Sequence, residues 1–215
     1  MKARIFSART ITDVQLKEVA HALDKGAVAV FPTDTVYGIG CSAFCPLAIE
    51  KIYALKQRPS AQPLQVLVPN IETARQVAEF SDEAERLARD FWPGALTLIV
   101  KPTKQGQSLA RGSKGIGLRV PAYTMLLKIL QNMKGPLCST SANLHGQPVL
   151  VEEEKLTEIF ATQVDFIIKG GTLSPVASSV VDVTDKWMPR LLREGSLSQM
   201  MLERTLRQTL VREKL

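Results

Sequence analysis

Eight short apolar runs of strand length recur along this sequence, and amphipathic stretches separate most of them. Runs this short are typical of buried strands, whereas the stretches between them repeat apolar residues at helical spacing. The two patterns do not alternate strictly, so the sequence predicts an α/β fold with an open sheet of mixed strand directions. The predicted strands are Ala27–Phe31, Leu64–Val68, Ala95–Lys101, Ile116–Val120, Leu137–Thr140, Val164–Lys169, Ser179–Val183 and Arg190–Arg193.

Capping residues mark the helices. Thr12 and Gln15 fit a capping box before a helix that Gly26 ends. Pro46 suits the first position of a helix that continues to Lys56. The remaining predicted helices are two within residues 71–92, the second capped by Ser81, then Thr124–Met133, Glu152–Ala161 and a final helix capped by Ser196 with Gln199.

Length and charge limit the organisation of the chain. With 215 residues, 45% of them hydrophobic, the sequence predicts one domain at residues 1–195, with a basic C-terminal helix at 196–215 as part of it. The net charge of +6 favours polyanionic partners. Residues 186–215 carry seven cationic side chains against three glutamates, so they supply +4 of that total.

Several site classes are excluded by the residues available. The three cysteines, Cys41, Cys45 and Cys138, lack the paired spacing of a zinc site and indicate a reducing compartment. The N-terminal ten residues lack the apolar core of a signal peptide, and no apolar run is long enough to cross a membrane. We therefore expect a cytoplasmic protein with no metal site and no membrane partner.

Three familiar catalytic or nucleotide-binding patterns are also absent or incomplete. There is no Walker A motif, and neither His21 nor His145 has a visible nucleophile or acid partner. The spacing Gly38-x-Gly40-x-x-Ala43 satisfies a loose dinucleotide pattern. The predicted helix begins too late for that motif, so we interpret the match as chance.

Polar clusters follow several predicted strands. Thr33–Gly40 follows the first of them, Ser139–Asn143 lies at the end of another, and Gly170-Gly171 follows a third. In open α/β sheets, ligands bind outside the carboxyl ends of the strands. These clusters are candidate ligand-binding segments, although capped turns favour the same residue types.

Cationic residues near these clusters suggest an anionic ligand. Lys56 and Arg58 lie at a predicted helix end, where they form a phosphate-binding pair or merely offset the helix dipole. Arg119 is a charge within an apolar strand, a position that is usually paired or functional. Ser178-Ser179 adds a hydroxyl pair at a strand start, which is either a turn or part of a site. Together with the hydroxyls of Ser139 and Ser141 and the amide of Asn143, the three cations favour phosphoryl or nucleotidyl transfer, in which positioning and charge neutralisation dominate.

Seven segments, in order and spacing, resemble the YrdC/TsaC family over residues 10–196. They are PTDTVYGIG, KQRP, WPGALTLIV, IGLRVP, STSAN, Gly170-Gly171 with SSVVDV, and LLREG. The resemblance implies a twisted mixed α/β sheet around a large basic concave cavity. It also implies synthesis of L-threonylcarbamoyladenylate and pyrophosphate from ATP, L-threonine and bicarbonate or CO2, for threonylcarbamoyladenosine modification of tRNA.

The same resemblance implies roles for individual residues. Lys56 and Arg58 would be the catalytic residues and would bind the triphosphate of ATP. The other residues that would bind ATP are Ser139, Ser141, Asn143 and Arg193. Threonine-binding roles fall on Thr33, Arg119 and Ser178, while Gly38 and Gly40 would let the chain approach the ligand. Two positions depart from the family pattern: Ala95 replaces a frequent proline, and Ala177 a frequent glutamate.

The expected partners are ATP with Mg2+, L-threonine, bicarbonate or CO2, and a downstream complex that transfers the threonylcarbamoyl group to tRNA. One alternative is a YrdC-like module that binds tRNA or double-stranded RNA without synthase activity, which the basic C-terminal residues favour. Another is a carbamoyltransferase with a YrdC-like domain, a class that usually contains further domains.

Overall fold

The computed structural model describes residues 2–57, 62–143 and 146–213, in which there are twelve strands and eight helices. In chain order these are β1 (Arg4–Ser7), α1 (Asp13–Asp24), β2 (Val28–Phe31), β3 (Gly38–Ser42), α2 (Pro46–Lys56), β4 (Gln65–Leu67), α3 (Ile71–Val77), β5 (Ala78–Glu79), α4 (Asp82–Phe91), β6 (Leu96–Pro102), α5 (Gln107–Ala110), β7 (Ile116–Arg119), α6 (Thr124–Asn132), β8 (Leu137–Ser141), α7 (Glu153–Phe160), β9 (Phe166–Lys169), β10 (Ser179–Asp182), β11 (Arg190–Arg193), α8 (Gln199–Leu206) and β12 (Val211–Arg212).

The contacts divide the chain into two compact units, each formed by two separate segments. The first unit comprises residues 1–62 and 123–175. Its strands are ordered β1-β9-β2-β3-β8, with parallel pairing of β9 to β1 and β2 and antiparallel pairing of β3 to β2 and β8. All four residues of β2 are buried, as the continuous apolar run predicts. One face of α1 is buried as well, through Leu16, Val19, Ala20 and Leu23.

The second unit comprises residues 63–122 and 176–215. Its strands are ordered β4-β7-β6-β10-β11-β12, and β5 pairs with β6 outside this path. Parallel pairs (β4 with β7, β6 with β10, β11 with β12) and antiparallel pairs (β6 with β7, β10 with β11) occur together. The mixed α/β class predicted from the sequence is therefore confirmed, while the single-domain organisation stays a prediction.

Most predicted elements are present, but the strands β1, β3, β5 and β12 and the short helix α5 were missed, and one cap was misplaced. The capping box of Thr12 and Gln15 is formed, and Pro46 begins α2. The cap predicted at Ser196 is wrong, because Ser198 is the N-cap and its hydroxyl accepts the amide of Met201 in the first turn of α8. This helix ends at Leu206 and is followed by the short strand β12, so the segment 196–213 is not helical throughout. No described helix has the length and apolar character needed to span a bilayer.

The strand β3 gives Gly38 and Gly40 a different role from the one expected. A Cβ on Gly40 would lie 2.7 Å from the carbonyl oxygen of Cys138 and 3.1 Å from the ring of Phe31. A Cβ on Gly38 would lie 2.8 Å from the same ring. The space above both glycines is filled by Phe31, so the prediction that they let the chain approach a ligand is wrong.

We expect Gly40→Ala to destabilise the protein by about 1–3 kcal/mol, because the added methyl group overpacks a site bounded by backbone. Gly117→Ala is the matched control, since its Cβ would meet only Thr97 Cγ2, at 3.4 Å. The control should leave the free energy of unfolding unchanged or raise it slightly. Urea unfolding of both variants measures the difference, and equal stabilities would contradict this account of β3.

Candidate functional site

In the first unit, Lys56 lies at the end of α2 and is 2% exposed. Its ammonium donates hydrogen bonds to the carbonyl oxygen of Ser141 at 2.7 Å and to Asn143 Oδ1 at 2.6 Å. The hydroxyl of Ser141 donates to the same Oδ1 at 2.6 Å. We call Lys56, Ser141 and Asn143 the lysine cluster. It places a cation, a hydroxyl and an amide together at the end of β8.

Strand register explains why β8 ends at this cluster. Strands β3 and β8 pair with Gly38 opposite Ser141 and Gly40 opposite Ser139, and the amide of Ala142 then donates to the carbonyl oxygen of Tyr37. Ser139 is 4% exposed, and its Oγ would lie 3.2 Å from a Cβ at Gly38. Ser139 is therefore within β8, two residues before Ser141 of the lysine cluster. Arg58 lies outside the described residues, so its predicted place beside Lys56 stays a prediction.

The segment before β3 is a hydroxyl-lined turn. Thr33 Oγ1 donates to the carbonyl oxygen of Val36 at 2.6 Å, accepts the amide of Thr35 at 3.1 Å, and lies 3.0 Å from Thr35 Oγ1. A hydroxyl has one donor and two acceptor positions. A ligand that hydrogen-bonds to Thr33 would therefore replace the contact with Thr35 Oγ1. Thr35 was not among the predicted site residues.

Tyr37 connects this turn to the predicted Gly170-Gly171 segment, and sequence reasoning missed its role. Its hydroxyl donates to the carbonyl oxygen of Gly171 and accepts the amide of Gly170, both at 2.7 Å. Gly170 has no room for a Cβ, which would lie 2.6 Å from Pro32. Burial, the largest cause, raises the pKa of Tyr37 to about 12. The phenol is thus a neutral structural link between two of the three polar clusters.

We expect Tyr37→Phe to lower the free energy of unfolding by about 1–3 kcal/mol at neutral pH, because two backbone groups lose their partner. A raised pKa in the folded state stabilises the protein fully below the unfolded value near 10. That contribution is lost between pH 10 and about 12, as the unfolded tyrosine ionises first. The difference between wild type and variant should therefore shrink across this range. Urea unfolding at a series of pH values measures it, and a constant difference up to pH 12 would refute the assignment.

In the second unit, four polar side chains form a network across β4, β6 and β11. The amide of Gln65 donates to Thr97 Oγ1, which lies 2.9 Å from Ser178 Oγ. Arg193 donates from Nη2 to Ser178 Oγ at 3.1 Å and from Nε to the Ser178 carbonyl oxygen at 2.9 Å. Ser178 and Thr97 are 3% and 5% exposed. We call Gln65, Thr97, Ser178 and Arg193 the arginine network.

A second guanidinium lies near this network. Arg119, on β7, is 3% exposed and donates from Nε to the carbonyl oxygen of Gly94 at 2.9 Å. Arg193 is partly solvent-exposed. Burial of its guanidinium lowers the pKa of Arg193, and the positive charge of Arg119 lowers it further. Two like charges held close enough to interact are typical of an anion-binding site.

The second serine of the predicted pair has a structural role. Ser179 is fully buried, its hydroxyl donates to the carbonyl oxygen of Leu197, and it accepts the amides of Gly195 and Leu197. A Cβ on Gly195 would lie 2.2 Å from the carbonyl oxygen of Ala177, so the chain after β11 packs directly on the segment before β10. This packing holds Arg193 beside Ser178.

The structure thus sorts the predicted site residues into two groups. Lys56, Ser141 and Asn143 meet in the first unit. In the same unit, Ser139 lies on the same strand as Ser141, and Thr33 lies in the turn before β3. Ser178, Arg193 and Arg119 meet in the second unit. Gln65 and Thr97 were missed, although each is a polar residue within an apolar strand, the signal that identified Arg119.

Within residues 2–57, 62–143 and 146–213, no group of three or more His, Cys, Asp or Glu side chains could hold a metal ion. His21 is an exposed residue of α1, and His145 lies outside the described residues.

Residues 21–195 match the Sua5/YciO/YrdC family model, whose description is "Telomere recombination". Among curated proteins, the threonylcarbamoyl-AMP synthase of Pyrococcus abyssi is 35% identical over 190 residues, which are 87% of this chain and 56% of that protein. This chain therefore spans little more than half the length of that relative.

Two solved structures have a similar fold. The P. abyssi Sua5 structure complexed with L-threonine has a TM-score of 0.90 and 31% identity, and the match covers 97% of this chain and 62% of that one. Escherichia coli YciO has a TM-score of 0.85 and 27% identity, and the match covers 93% of this chain and 99% of the other. The similarity thus extends both to a longer protein and to one of about this length.

Proposed function

Because the chain belongs to the Sua5/YciO/YrdC family, we propose that it is a threonylcarbamoyl-AMP synthase. It would use ATP, L-threonine and bicarbonate or CO2, and release pyrophosphate. The curated P. abyssi relative carries this name, and its solved structure is a complex with L-threonine. The enzyme class would be nucleotidyl transfer, because an adenylyl group passes from ATP to a carbamate oxygen.

The observation that carries the proposal is the lysine cluster. Lys56 comes from the K-x-R motif at the end of α2, and Ser141 and Asn143 come from the S-x-N motif at the end of β8. Ser141 and Asn143 lie 85 and 87 residues after Lys56 in the sequence, yet the Lys56 ammonium donates hydrogen bonds to both of them. Two separate parts of the family signature therefore form one local arrangement of cationic and hydrogen-bonding groups.

The lysine cluster suits a nucleotide phosphate. An ammonium is a compact point charge, and a phosphate oxygen would replace the neutral oxygens that Lys56 contacts here. Ser139, Ser141 and Asn143 would then hydrogen-bond to the phosphates and the nucleotide, and Arg58 and Arg193 would add guanidinium contacts. These groups would neutralise the charge that develops as the carbamate oxygen attacks the α-phosphate and pyrophosphate leaves.

Arg119, which lies near the arginine network, suits a carboxylate. A guanidinium can bind both oxygens of a carboxylate at once, and such charge-assisted hydrogen bonds are stronger than neutral ones. Arg119 would bind the carboxylate of threonine, with Ser178 nearby. Thr33 would contact the threonine substrate, in exchange for its contact with Thr35 Oγ1.

Mg2+ would enter with ATP as part of the substrate. No cluster of candidate metal ligands occurs in the parts of the chain that the structure describes, so the ion would be held mainly by the phosphates. It would neutralise charge on the leaving pyrophosphate. Positioning by the protein and charge neutralisation would then account for most of the catalysis.

The test is a reconstitution from purified components. The protein is incubated with ATP, Mg2+, bicarbonate and radiolabelled L-threonine, each substrate is omitted in turn, and pyrophosphate and labelled threonylcarbamoyl-AMP are measured. We expect product only when all substrates are present. ATP binding without product would contradict the synthase assignment, and so would pyrophosphate release that does not depend on threonine.

In the cell, the product would pass to a complex that transfers the threonylcarbamoyl group to tRNA. We place this activity in the cytoplasm, which is consistent with the three free thiols of Cys41, Cys45 and Cys138. The alternative of an RNA-binding module without synthase activity is not favoured, because the curated relative is named as a synthase.

A further inference from the structure

Thr97 lies at the centre of the arginine network. It is on β6, between β7, which carries Arg119, and β10, which directly follows Ser178. Its Oγ1 accepts the amide of Gln65 and lies 2.9 Å from Ser178 Oγ, which accepts Arg193 Nη2 at 3.1 Å. Gln65 and Arg193 therefore both donate inward, and the two hydroxyls form the middle of this chain of hydrogen bonds.

The two hydroxyls have one hydrogen more than the network can use. Thr97 and Ser178 each carry one hydroxyl hydrogen, and only one of the two can lie between Thr97 Oγ1 and Ser178 Oγ. In the described parts of the chain, neither side chain has a further hydrogen-bond partner. The other hydrogen is thus left without an acceptor, although Thr97 and Ser178 are only 5% and 3% exposed. An unpaired buried hydroxyl is unfavourable, and a ligand that accepts its hydrogen would remove this cost.

An anionic ligand determines which hydroxyl keeps the free hydrogen. If Ser178 donated to Thr97, Ser178 would present only oxygen lone pairs, and these repel a carboxylate. If Thr97 donates to Ser178, the Ser178 hydrogen is free to bind an acceptor. The Gln65 amide favours this second arrangement, because it already occupies one acceptor position of Thr97 Oγ1. Arg193 donates to Ser178 Oγ and polarises that hydroxyl, which makes its free hydrogen a stronger donor.

We propose that Thr97 is a positioning residue for the carboxylate of L-threonine. Its hydroxyl donates to Ser178 Oγ and so directs the Ser178 hydrogen toward the carboxylate that Arg119 binds. This inference rests on the proposed function, in which Arg119 and Ser178 lie at that end of the substrate. The carboxylate accepts the hydrogen that is unpaired in the free protein, so Thr97 contributes to threonine affinity without contacting the ligand.

The test is a double-mutant cycle in the full chain, with L-threonine binding measured by isothermal titration calorimetry. Thr97→Val keeps the shape of the side chain but removes the hydroxyl. We expect it to weaken threonine binding about three- to tenfold, the effect of one net hydrogen bond. In a Ser178→Ala background, Thr97→Val should cause no further loss, because Thr97 acts through Ser178. The Kd for ATP should remain close to the wild-type value.

Thr97→Ser and Thr103→Val separate this role from a general loss of stability. Thr97→Ser keeps the hydroxyl and deletes a buried methyl group, so it should melt at a lower temperature but bind threonine like wild type. Thr103 follows β6, donates to the carbonyl oxygen of Gln76 and accepts the amide of Gly106. Thr103→Val therefore removes a hydroxyl with two hydrogen bonds outside the network. It should lower the melting temperature without changing the Kd for threonine.

Gln65→Met is the second route if Thr97→Val does not fold, because Gln65 is partly exposed. Loss of its amide frees an acceptor position on Thr97 and should weaken threonine binding at least about twofold. Unchanged affinity in this variant would then overturn the inference.

Other outcomes distinguish this inference from the proposed function. Wild-type threonine affinity in folded Thr97→Val, additive losses in the cycle, or equal losses in Thr97→Val and Thr97→Ser would each overturn the inference alone. A loss of threonine affinity in Thr103→Val as large as that in Thr97→Val would do the same. Wild-type protein that binds no threonine would overturn the proposed function, and this inference with it.

Discussion

Replacing Lys56 by methionine should reduce synthase turnover at least about 100-fold, equivalent to about 2.7 kcal/mol of transition-state stabilisation. Methionine fills much of the same volume but lacks the ammonium that contacts Ser141 and Asn143. The proposed reaction gathers negative charge on the triphosphate, so loss of this cation removes an interaction that strengthens in the transition state. Pyrophosphate release under saturating threonine measures the effect.

Lys51→Met is the matched control, because Lys51 lies on the same helix and is 43% exposed. Its ion pair with Asp165, at 3.5 Å, is a surface pair worth at most about 1 kcal/mol. The control should keep turnover close to wild type. Thermal unfolding of both variants separates loss of function from loss of fold. A folded Lys56→Met protein with near-normal turnover would contradict the role of the lysine cluster.

The strands that the sequence predicts well are those buried on both faces. Val28–Phe31 is a continuous apolar run, and the structure places a strand there. By contrast, β3 was missed because Gly38 and Gly40 are weak strand residues by propensity. What stabilises this strand is pairing with β2 and β8 and packing of Phe31 over its glycines. Such tertiary compensation cannot be recognised from local pattern alone.

The candidate site was predictable residue by residue, but not as an arrangement. A charge within an apolar strand identified Arg119, and the motif resemblance identified Lys56 and Asn143. The contact between Lys56 and Asn143 depends on the register of β8, which places the end of that strand beside the end of α2. Thr97 was missed because a single threonine in a strand is common. Its contact with Ser178 becomes visible only when β6 and β10 are paired.

Replacing Arg119 by methionine should lower kcat/KM for threonine about 10- to 100-fold, the range expected for loss of a charge-assisted hydrogen-bonded contact of about 1.5–3 kcal/mol. The proposed ligand of this guanidinium is the threonine carboxylate, whereas the nucleotide phosphates are assigned to other side chains. The KM for ATP should therefore remain within about twofold of wild type. Initial rates with threonine and ATP varied separately measure both constants.

Arg119→Lys tests whether geometry matters as well as charge. Lysine keeps the positive charge but cannot bind both carboxylate oxygens in a fixed fork, so it should recover only part of the lost kcat/KM. Lys101→Met, on the neighbouring strand β6, removes an exposed cation and should leave both KM values unchanged. Because Arg119 also donates to Gly94, thermal unfolding of each variant is compared with wild type. A contact with the threonine carboxylate affects the KM for threonine alone. Equal increases in the KM values for ATP and threonine would therefore contradict this role and would indicate that the substitution disturbs the structure of the second unit.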